Sequence, residues 1–276
     1  MSIRSFAPGN VSCIFRIIDN KDQSKKHSLG VGFTVDKGVI VKVTKSNKTK
    51  IYANGRKIIF PTVSTVIRQL TNKPVRVEIK DQLPSGAGFG ISGASALAAA
   101  YAINKLLNLK KTKKELAMVA HRAEVINGTG LGDVGGQFNG GFNMKVKKGR
   151  PLDVVNLGIK NINNTNIYYT FISKINTKNI ISSSLKIKQI NKAGDKALDR
   201  IKSLKTKTLK DIIRISKDFS IESGLLRKRK VKDLIKQVED KNGNASMIML
   251  GNAVFSDIPF KGCKKLKISQ RSACLI

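Results

Sequence analysis

Three polar side chains in the middle of this sequence have the types and surroundings that chemistry requires. Ser92 lies near the end of a glycine-rich run, Glu124 falls on a predicted helix, and Asp133 is surrounded by glycines. Hydroxyl and carboxylate oxygens are the ligands that hard cations such as Mg²⁺ prefer, and a carboxylate can also accept a proton. The three residues therefore indicate a cation or proton-transfer site, provided that the fold brings them together.

The glycine-rich run covers residues 84–94, with the sequence PSGAGFGISGA. Gly88, Gly90 and Gly93 fit the G-x-G-x-x-G pattern, which by itself is a weak signal. A dinucleotide site would need a buried parallel strand leading directly into the run, whereas residues 75–80 alternate apolar and charged side chains and residues 81–85 intervene. A Walker loop is excluded because no Gly-Lys-Ser or Gly-Lys-Thr ends the run.

A cradle for an anion explains the run better. Glycines allow backbone N–H groups to approach phosphate oxygens, and the helix predicted to start near Ser92 points its positive end at the same place. The Ser92 hydroxyl could bind a phosphate oxygen or Mg²⁺. The alternative is a loop whose glycines only permit tight helix packing, and the small residues Ala94, Ala96 and Ala99 are compatible with it.

Glu124 lies beside the apolar stripe of its predicted helix, eight residues after Leu116 and four after Ala120, near the C-terminal end. A carboxylate in that position is disfavoured by desolvation and by the helix dipole. A bound cation would relieve both effects, and Mg²⁺ needs only one or two carboxylates beside nucleotide phosphates. The alternative is a salt bridge from Glu124 to Arg122 or to a lysine.

Asp133 belongs to a second glycine-rich segment, residues 128–141. A carboxylate flanked by glycines is accessible to a substrate and could take the proton from an attacking hydroxyl. The alternative is an ordinary turn aspartate, and taken alone that explanation would be preferred.

The elements that must position these residues form an α+β pattern. Thr112 and Glu115 form a capping box that opens a helix, which Asn127-Gly128 ends. Strands are predicted at 32–35 and 39–43 with a hairpin turn at 36–38, at 75–80, at 167–172 and at 245–250. Helices are predicted from about 92 to 107 and near 185–202, 207–222 and 229–239.

The charge balance is extreme, with 52 Lys and Arg against 18 Asp and Glu and a formal net charge of +34. Such a charge suits a protein that binds nucleic acid or an anionic surface, but the basic residues are dispersed along the chain rather than gathered in one patch. Aromatic residues make up only 5% and Trp is absent, which argues against a stacking reader of single strands. Dispersed charge would still attract an anionic substrate.

Few residues are available for soft-metal or disulfide chemistry. The 3 cysteines and 2 histidines are scattered, so a zinc site and a disulfide framework are both disfavoured. Reduced thiols suit a cytoplasmic protein, and we expect no membrane span and no signal peptide. A homodimer is compatible with the sequence.

Three segments together resemble the three motifs of the GHMP kinase superfamily, in the same order. They are Ala7-Pro8-Gly9-Asn10-Val11, residues 84–94, and the late Ala245-Ser246-Met247-Ile248-Met249-Leu250-Gly251. Within the superfamily the chain looks most like the archaeal pantoate kinases. The details are Gly88-Phe89-Gly90 before Ser92-Gly93-Ala94, Thr129-Gly130-Leu131-Gly132-Asp133 after Glu124, and the loop-like run from Ser28 to Phe33.

The resemblance implies a fold and a role for each matching residue. A ribosomal-protein-like N-terminal domain, residues 1–157, would precede a ferredoxin-like C-terminal domain, residues 158–276, with ATP between them. Ser92 and Glu124 would bind Mg²⁺, and Asp133 would act as the base. The substrate side would involve Ser28, Gly30 and Gly251. Apart from the resemblance, Arg122 and Ser28 are candidates for binding the substrate carboxylate. The ATP phosphates would be bound by Pro84, Gly86, Ala87, Gly88, Phe89, Gly90, Ile91, Ser92, Gly93 and Ala94.

Some residues depart from the family pattern. Ile91 replaces a serine of the phosphate loop, Asn10 stands where many members carry a Lys or His, and the third motif is rich in Met rather than Gly.

The activity that the resemblance implies is phosphorylation of the 4-hydroxyl of pantoate by ATP, on the route to coenzyme A. The alternatives are another GHMP kinase, of the homoserine or mevalonate type, and a basic nucleic-acid-binding protein.

Overall fold

Two long antiparallel strands at the start of the chain organise the fold. Strands β1 (Ser2–Ile18) and β2 (His27–Lys45) pair along nearly their whole length, from Ser2 opposite Thr44 to Ile18 opposite His27. The computed structural model describes residues 1–175, 180 and 183–276.

The first sheet is built around this pair. Its order is β12-β1-β2-β5-β3-β4, and β6 pairs with both β2 and β7. Its remaining strands are β3 (Lys50–Ala53), β4 (Arg56–Lys57), β5 (Val75–Asp81), β6 (Phe142–Lys145), β7 (Val155–Asn156) and β12 (Cys274–Leu275). In β5 the apolar residues are buried and the charged ones face water, as the alternation predicts.

A second sheet lies in the later part of the chain. It has the order β11-β8-β10-β9, with every neighbouring pair antiparallel. Its strands are β8 (Asn166–Ser173), β9 (Ala245–Met247), β10 (Asn252–Ser256) and β11 (Lys264–Lys267). The strand predicted at 245–250 ends earlier, at Met247. The chain turns before β10, and Leu250 in this turn has a φ of 62°.

Helices cover both sheets. They are α1 (Pro61–Leu70), α2 (Ile91–Leu107), α3 (Lys113–Asn127), α4 (Asp133–Asn139), α5 (Ser184–Ser203), α6 (Leu209–Glu222) and α7 (Arg229–Glu239). Helix α2 packs against β1, β2, α1 and α3 and is buried almost all round, with alanines allowing close approach. In the described part of the chain no helix has both the length and the apolar character to cross a membrane.

Local signals predicted the helix ends well. The capping box of Thr112 and Glu115 opens α3, and Gly128, with φ 64°, ends it. The three Lys-rich helices start and end within two residues of their predicted positions. In α7, Val231, Ile235 and Val238 form the buried stripe.

The predicted hairpin at residues 36–38 is wrong. Strand β2 runs straight through it, since Gly38 pairs with Pro8 and Thr34 pairs with Asn10 of the same neighbour, β1. Three residues of β2 therefore lie opposite Gly9 alone, which is a bulge rather than a turn.

Strand β1 is hydrogen-bonded to two helices from later in the chain. The side chain of Asn191 on α5 accepts a hydrogen bond from the Ile17 N–H at 2.7 Å and donates one to the Ile17 carbonyl at 3.0 Å. The Ser216 hydroxyl on α6 donates to the Cys13 carbonyl at 2.8 Å. The boundary predicted at residue 157 falls between β7 and β8, and the division into domains there stays a prediction.

Candidate active site

A cavity of about 400 Å³ opens at the N-terminal end of α2. The glycine-rich run, the connection between α3 and α4, and the turn before β10 meet around it. Its lining comprises Ser12, Phe15, Ser28, Ser85, Gly86, Gly88, Phe89, Gly90, Ile91, Ser92, Glu124, Asn127, Gly128, Thr129, Gly130, Leu131, Gly132, Asp133, Ile175, Met249 and Leu250. The fold thus gathers Ser92, Glu124 and Asp133 in one place.

The glycine-rich run has the backbone conformation that the anion-cradle hypothesis requires. Gly86, Gly88 and Gly90 have φ of 79°, 87° and 62°, a region that side-chain-bearing residues avoid. Gly90 is the residue before α2, and no side chain caps the helix. The first-turn N–H groups of α2 and its positive dipole end therefore face the cavity.

Not every residue of the run reaches the cavity. Pro84, Ala87, Gly93 and Ala94 are absent from its lining. A Cβ atom on Gly93 would lie 2.9 Å from Glu124 Oε2, so this glycine allows the Glu124 carboxylate to approach α2 closely.

Gly251 also supports the loop instead of lining the cavity. A Cβ atom there would overlap the carbonyl of Ala87, and the adjacent Met249 and Leu250 line the cavity in its place. The expectation that Gly251 contacts the substrate is therefore not supported by its position, because the residue is buried against the glycine-rich run.

Four oxygen atoms form a hydrogen-bonded series along one wall of the cavity. The Ser92 hydroxyl donates to Thr62 Oγ1 at 3.0 Å, and Thr62 Oγ1 lies 3.2 Å from Thr129 Oγ1. The Thr129 hydroxyl donates to Glu124 Oε1 at 2.7 Å. Thr62 is fully buried on the first turn of α1, which brings a third helix to the site.

Glu124 is a buried carboxyl group without a cationic partner among the described residues. Its side chain is 1% exposed, and burial, reinforced by the negative charge of Asp133, raises its pKa to about 7. Hydrogen bonds from Thr129 and Ser92 oppose the shift only in part. The alternative of a salt bridge to Arg122 is wrong, and no lysine in the described ranges pairs with Glu124.

Asp133 is the first residue of α4, and two side chains of β1 hold it. Asn10 Nδ2 donates to Asp133 Oδ1 at 2.9 Å, and the Ser12 hydroxyl donates to the same oxygen at 3.3 Å. Burial nevertheless raises the pKa of Asp133, while Asn10, the charge of Lys145 and Ser12 lower it. Asn10, which departs from the family pattern, thus orients the proposed base.

Lys145 is a functional candidate that the sequence did not reveal. It is 8% exposed, and its Nζ donates to the Gly132 carbonyl at 2.8 Å. Burial lowers its pKa to about 8, although the charge of Asp133 opposes the shift. In the sequence Lys145 opens a basic run, residues 145–150, yet its neighbours from 146 to 150 are all exposed.

A narrow recess of about 30 Å³ continues from the cavity toward Lys145. It is lined in part by Ser12, Ser28, Gly30 and Asn143, so two of the residues expected on the substrate side, Ser28 and Gly30, lie there. The buried His121 is close enough for Lys145 to lower its pKa, which burial chiefly holds at about 3.

The structure places Arg122 away from the cavity. Its side chain is exposed and lines a separate surface depression with Lys111, Lys114 and Glu115. Two residues correspond to about 200° around a helix, so Arg122 and Glu124 point to opposite sides of α3.

The donor set fits Mg²⁺ held jointly with phosphate oxygens. It combines the Ser92 hydroxyl with the unpaired, buried Glu124 carboxylate at the glycine-rich run. Among the described residues no three His, Cys, Asp or Glu side chains cluster. Mg²⁺ is commonly bound in this way, through one or two carboxylates plus substrate phosphates.

Comparisons with known proteins agree with this geometry. Residues 57–141 match the model of the GHMP kinases N terminal domain. The chain is 33% identical to a pantoate kinase from Methanocaldococcus jannaschii over 257 residues, covering 91% of this chain and 90% of the relative. It is 30% identical to a pantoate kinase from Methanospirillum hungatei, with 92% and 86% covered.

Solved structures share the fold. A phosphotransferase related to the CoA biosynthesis pathway superposes with a TM-score of 0.85 at 24% identity, covering 100% of this chain and 98% of that one. A homoserine kinase from Cytophaga hutchinsonii superposes with a TM-score of 0.70 at 22% identity, covering 100% and 97%. The predicted α+β GHMP-kinase-like fold is thus confirmed, and the chain belongs to the GHMP kinase family.

Proposed function

We propose that this protein transfers the γ-phosphoryl group of ATP to the 4-hydroxyl of pantoate, forming 4-phosphopantoate for coenzyme A biosynthesis. The observation that supports the choice of substrate is a buried lysine, Lys145, close to a partly buried aspartate, Asp133, that lines the cavity. A small hydroxy acid offers a carboxylate to the lysine and a hydroxyl to the aspartate. The pantoate kinases among the relatives support the same choice.

The glycine-rich run would hold the triphosphate. Its backbone N–H groups and the N-terminal end of α2 supply fixed positive charge where the phosphoryl group carries its negative charge. Ser92 and Glu124 would bind Mg²⁺, which when present neutralises phosphate charge during transfer. Catalysis then consists mainly of positioning and electrostatic stabilisation.

Asp133 would orient and deprotonate the attacking hydroxyl. The hydroxyl oxygen forms a bond to the γ-phosphorus, the bond from phosphorus to the β–γ bridging oxygen breaks, and ADP leaves. The hydroxyl proton passes to the Asp133 carboxylate. Asn10 and Ser12 both bind Oδ1, which leaves Oδ2 available for the substrate.

Lys145 would bind the substrate carboxylate. A buried ammonium group with a lowered pKa gains from a second negative charge, because its only acidic neighbour in the described site, Asp133, is shared with the reaction. Ser28, which lines both the cavity and the recess, would contact the same end of the substrate.

A substrate panel tests the proposal directly. The purified protein is assayed with saturating Mg²⁺ and ATP against pantoate, homoserine, mevalonate and pantothenate, with ADP release and the phosphorylated product both measured. We expect pantoate to have the highest kcat/KM, by about tenfold or more, which corresponds to about 1.4 kcal/mol. A higher kcat/KM for homoserine or mevalonate would refute pantoate as the substrate and would assign the protein another substrate used within the family.

Lys145→Met tests whether the Lys145 ammonium group binds the substrate carboxylate. It should raise KM for pantoate with a smaller effect on KM for ATP, whereas Lys145→Arg should retain part of the affinity. A Lys145→Met protein with unchanged KM for pantoate would refute the proposal that Lys145 binds the substrate carboxylate.

We place the reaction in the cytoplasm, where the three free cysteines would remain reduced.

A further inference from the structure

Thr62 lies between the two proposed Mg²⁺ ligands without facing the cavity itself. It is on the first turn of α1, is fully buried, and does not belong to any of the three sequence motifs. Its hydroxyl contacts Ser92 on one side and Thr129 on the other, at 3.0 and 3.2 Å. A buried hydroxyl with these two neighbours connects α1 to the start of α2 and to the segment after α3.

When Glu124 is ionised, as a carboxylate that binds a cation must be, the protons of this series have one consistent direction. Each hydroxyl carries one hydrogen, and the Thr129 hydrogen is used in the short bond to Glu124 Oε1, at 2.7 Å. The Thr129 oxygen can therefore only accept from Thr62. Thr62 in turn has no hydrogen left for Ser92, so it accepts from Ser92. The order of donation is Ser92, Thr62, Thr129, Glu124.

This direction determines what Ser92 presents to the cavity. A hydroxyl that binds a cation must offer an oxygen lone pair and send its hydrogen elsewhere. The Ser92 hydrogen points to Thr62 Oγ1 at 3.0 Å. Thr62 is thus the acceptor that keeps this hydrogen out of the coordination sphere.

At the other end the series leaves one Glu124 oxygen free. Thr129 occupies Oε1, and glycines stand on both sides of Oε2, because Cβ atoms at Gly93 and Gly130 would crowd that oxygen. The arrangement thus directs one oxygen of Ser92 and one of Glu124 into the same space.

We propose that Thr62 is a positioning residue for the metal site, acting through the hydroxyls of Ser92 and Thr129. The inference rests on the proposed function, since it assumes that Ser92 and Glu124 bind Mg²⁺ together with nucleotide. Hydrogen-bond partners of metal ligands commonly contribute 10- to 100-fold to metal affinity, so a measurable effect is expected.

Calorimetric titration of ADP at increasing free Mg²⁺ tests the role without turnover. The quantity compared is the Mg²⁺ concentration at which ADP binding is half-maximal. Thr62→Val keeps the shape but loses the hydroxyl, and it should raise this concentration by about tenfold. Thr62→Ser keeps the hydroxyl and should stay within about threefold of wild type.

Thr65→Val supplies the control on the same helix. Thr65 is also buried, and its hydroxyl oxygen accepts bonds from Asn127 and Arg68. Thr65→Val should unfold at a lower urea concentration than wild type, while the Mg²⁺ concentration needed for half-maximal ADP binding should not change. If Thr62→Val does not fold, Thr62→Ala is measured in its place, with the same expected shift.

The outcomes separate this inference from the proposed function. A wild-type protein that binds ADP equally well without Mg²⁺ would refute the metal site and the inference with it. A wild-type protein that needs Mg²⁺, with folded Thr62→Val needing no more, would refute the role of Thr62 alone.

Discussion

Replacing Glu124 by Gln should make the ligand-free protein more stable at neutral and alkaline pH. The pKa of Glu124 is raised from 4.5 to about 7, chiefly by burial. The folded protein therefore binds more protons than the unfolded chain between these values, and its stability falls as pH rises through that window. The difference between the folded and unfolded pKa values of Glu124 corresponds to on the order of 3 kcal/mol at full ionisation.

Urea unfolding at a series of pH values, without Mg²⁺ or nucleotide, measures this effect. At about pH 4 the two proteins should differ little from this source, because Glu124 is largely protonated in both the folded and the unfolded state. At about pH 8 Glu124→Gln should be more stable than wild type by roughly 3 kcal/mol. His27 and His121, whose pKa values burial lowers to about 4 and about 3, titrate in both proteins and cancel in the difference.

Asp133→Asn provides an internal check, since the charge of Asp133 is the second cause of the raised Glu124 pKa. In that background the pKa of Glu124 in the folded protein should be lower, so the stability gained by Glu124→Gln at about pH 8 should be smaller. A stability difference between wild type and Glu124→Gln that does not vary with pH would mean that the carboxylate stays ionised through a partner, and would contradict the reasoning. Saturating Mg²⁺ and ADP should reverse the order of stability at about pH 8, because only wild type retains the metal-binding carboxylate.

Three further predictions concern the reaction. Ser92→Ala should lower kcat at least about tenfold, or 1.4 kcal/mol, in a protein whose circular dichroism is unchanged; normal turnover would exclude Ser92 from the site. Asp133→Asn should lower kcat by about 100-fold or more while leaving ADP affinity nearly unchanged, as calorimetry can check; a kcat near wild type would show that no base is needed there. Raising ionic strength with Mg²⁺ and ATP kept saturating should reduce kcat/KM for pantoate and barely change kcat, because the net charge of +34 attracts anions through a field screened over about 10 Å. Equal sensitivity of both constants would assign the salt effect to folding or chemistry instead.

Residues whose role depends on local chain geometry were predictable from the sequence. Thr112 and Glu115 sit three residues apart and cap their own helix, and Gly128 ends it, so a short window contains all the information. Glu124 was recognisable because a carboxylate beside an apolar stripe conflicts with burial. The glycine-rich run was recognisable because its positive φ values need glycine.

Residues whose role depends on distant contacts were not predictable. Lys145 resembles any lysine of a basic run until β6 pairs with β2 and carries it beside Asp133. Thr62 is separated by 30 residues from Ser92, and nothing in its own neighbourhood marks it. The hairpin expected at residues 36–38 failed for the same reason, because pairing with β1 overrode a local turn signal.

The bonds that attach α5 and α6 to β1 restrict how the cavity can open. The strand that orients Asp133 through Asn10 and Ser12 is, a few residues later, bonded at Cys13 and Ile17 to α6 and α5. Moving these helices away from β1 would bend the strand or break hydrogen bonds that are buried or partly buried, each costing about 1–3 kcal/mol if left unmade. The end of the cavity at Asp133 is therefore preorganised by contacts made far along the chain.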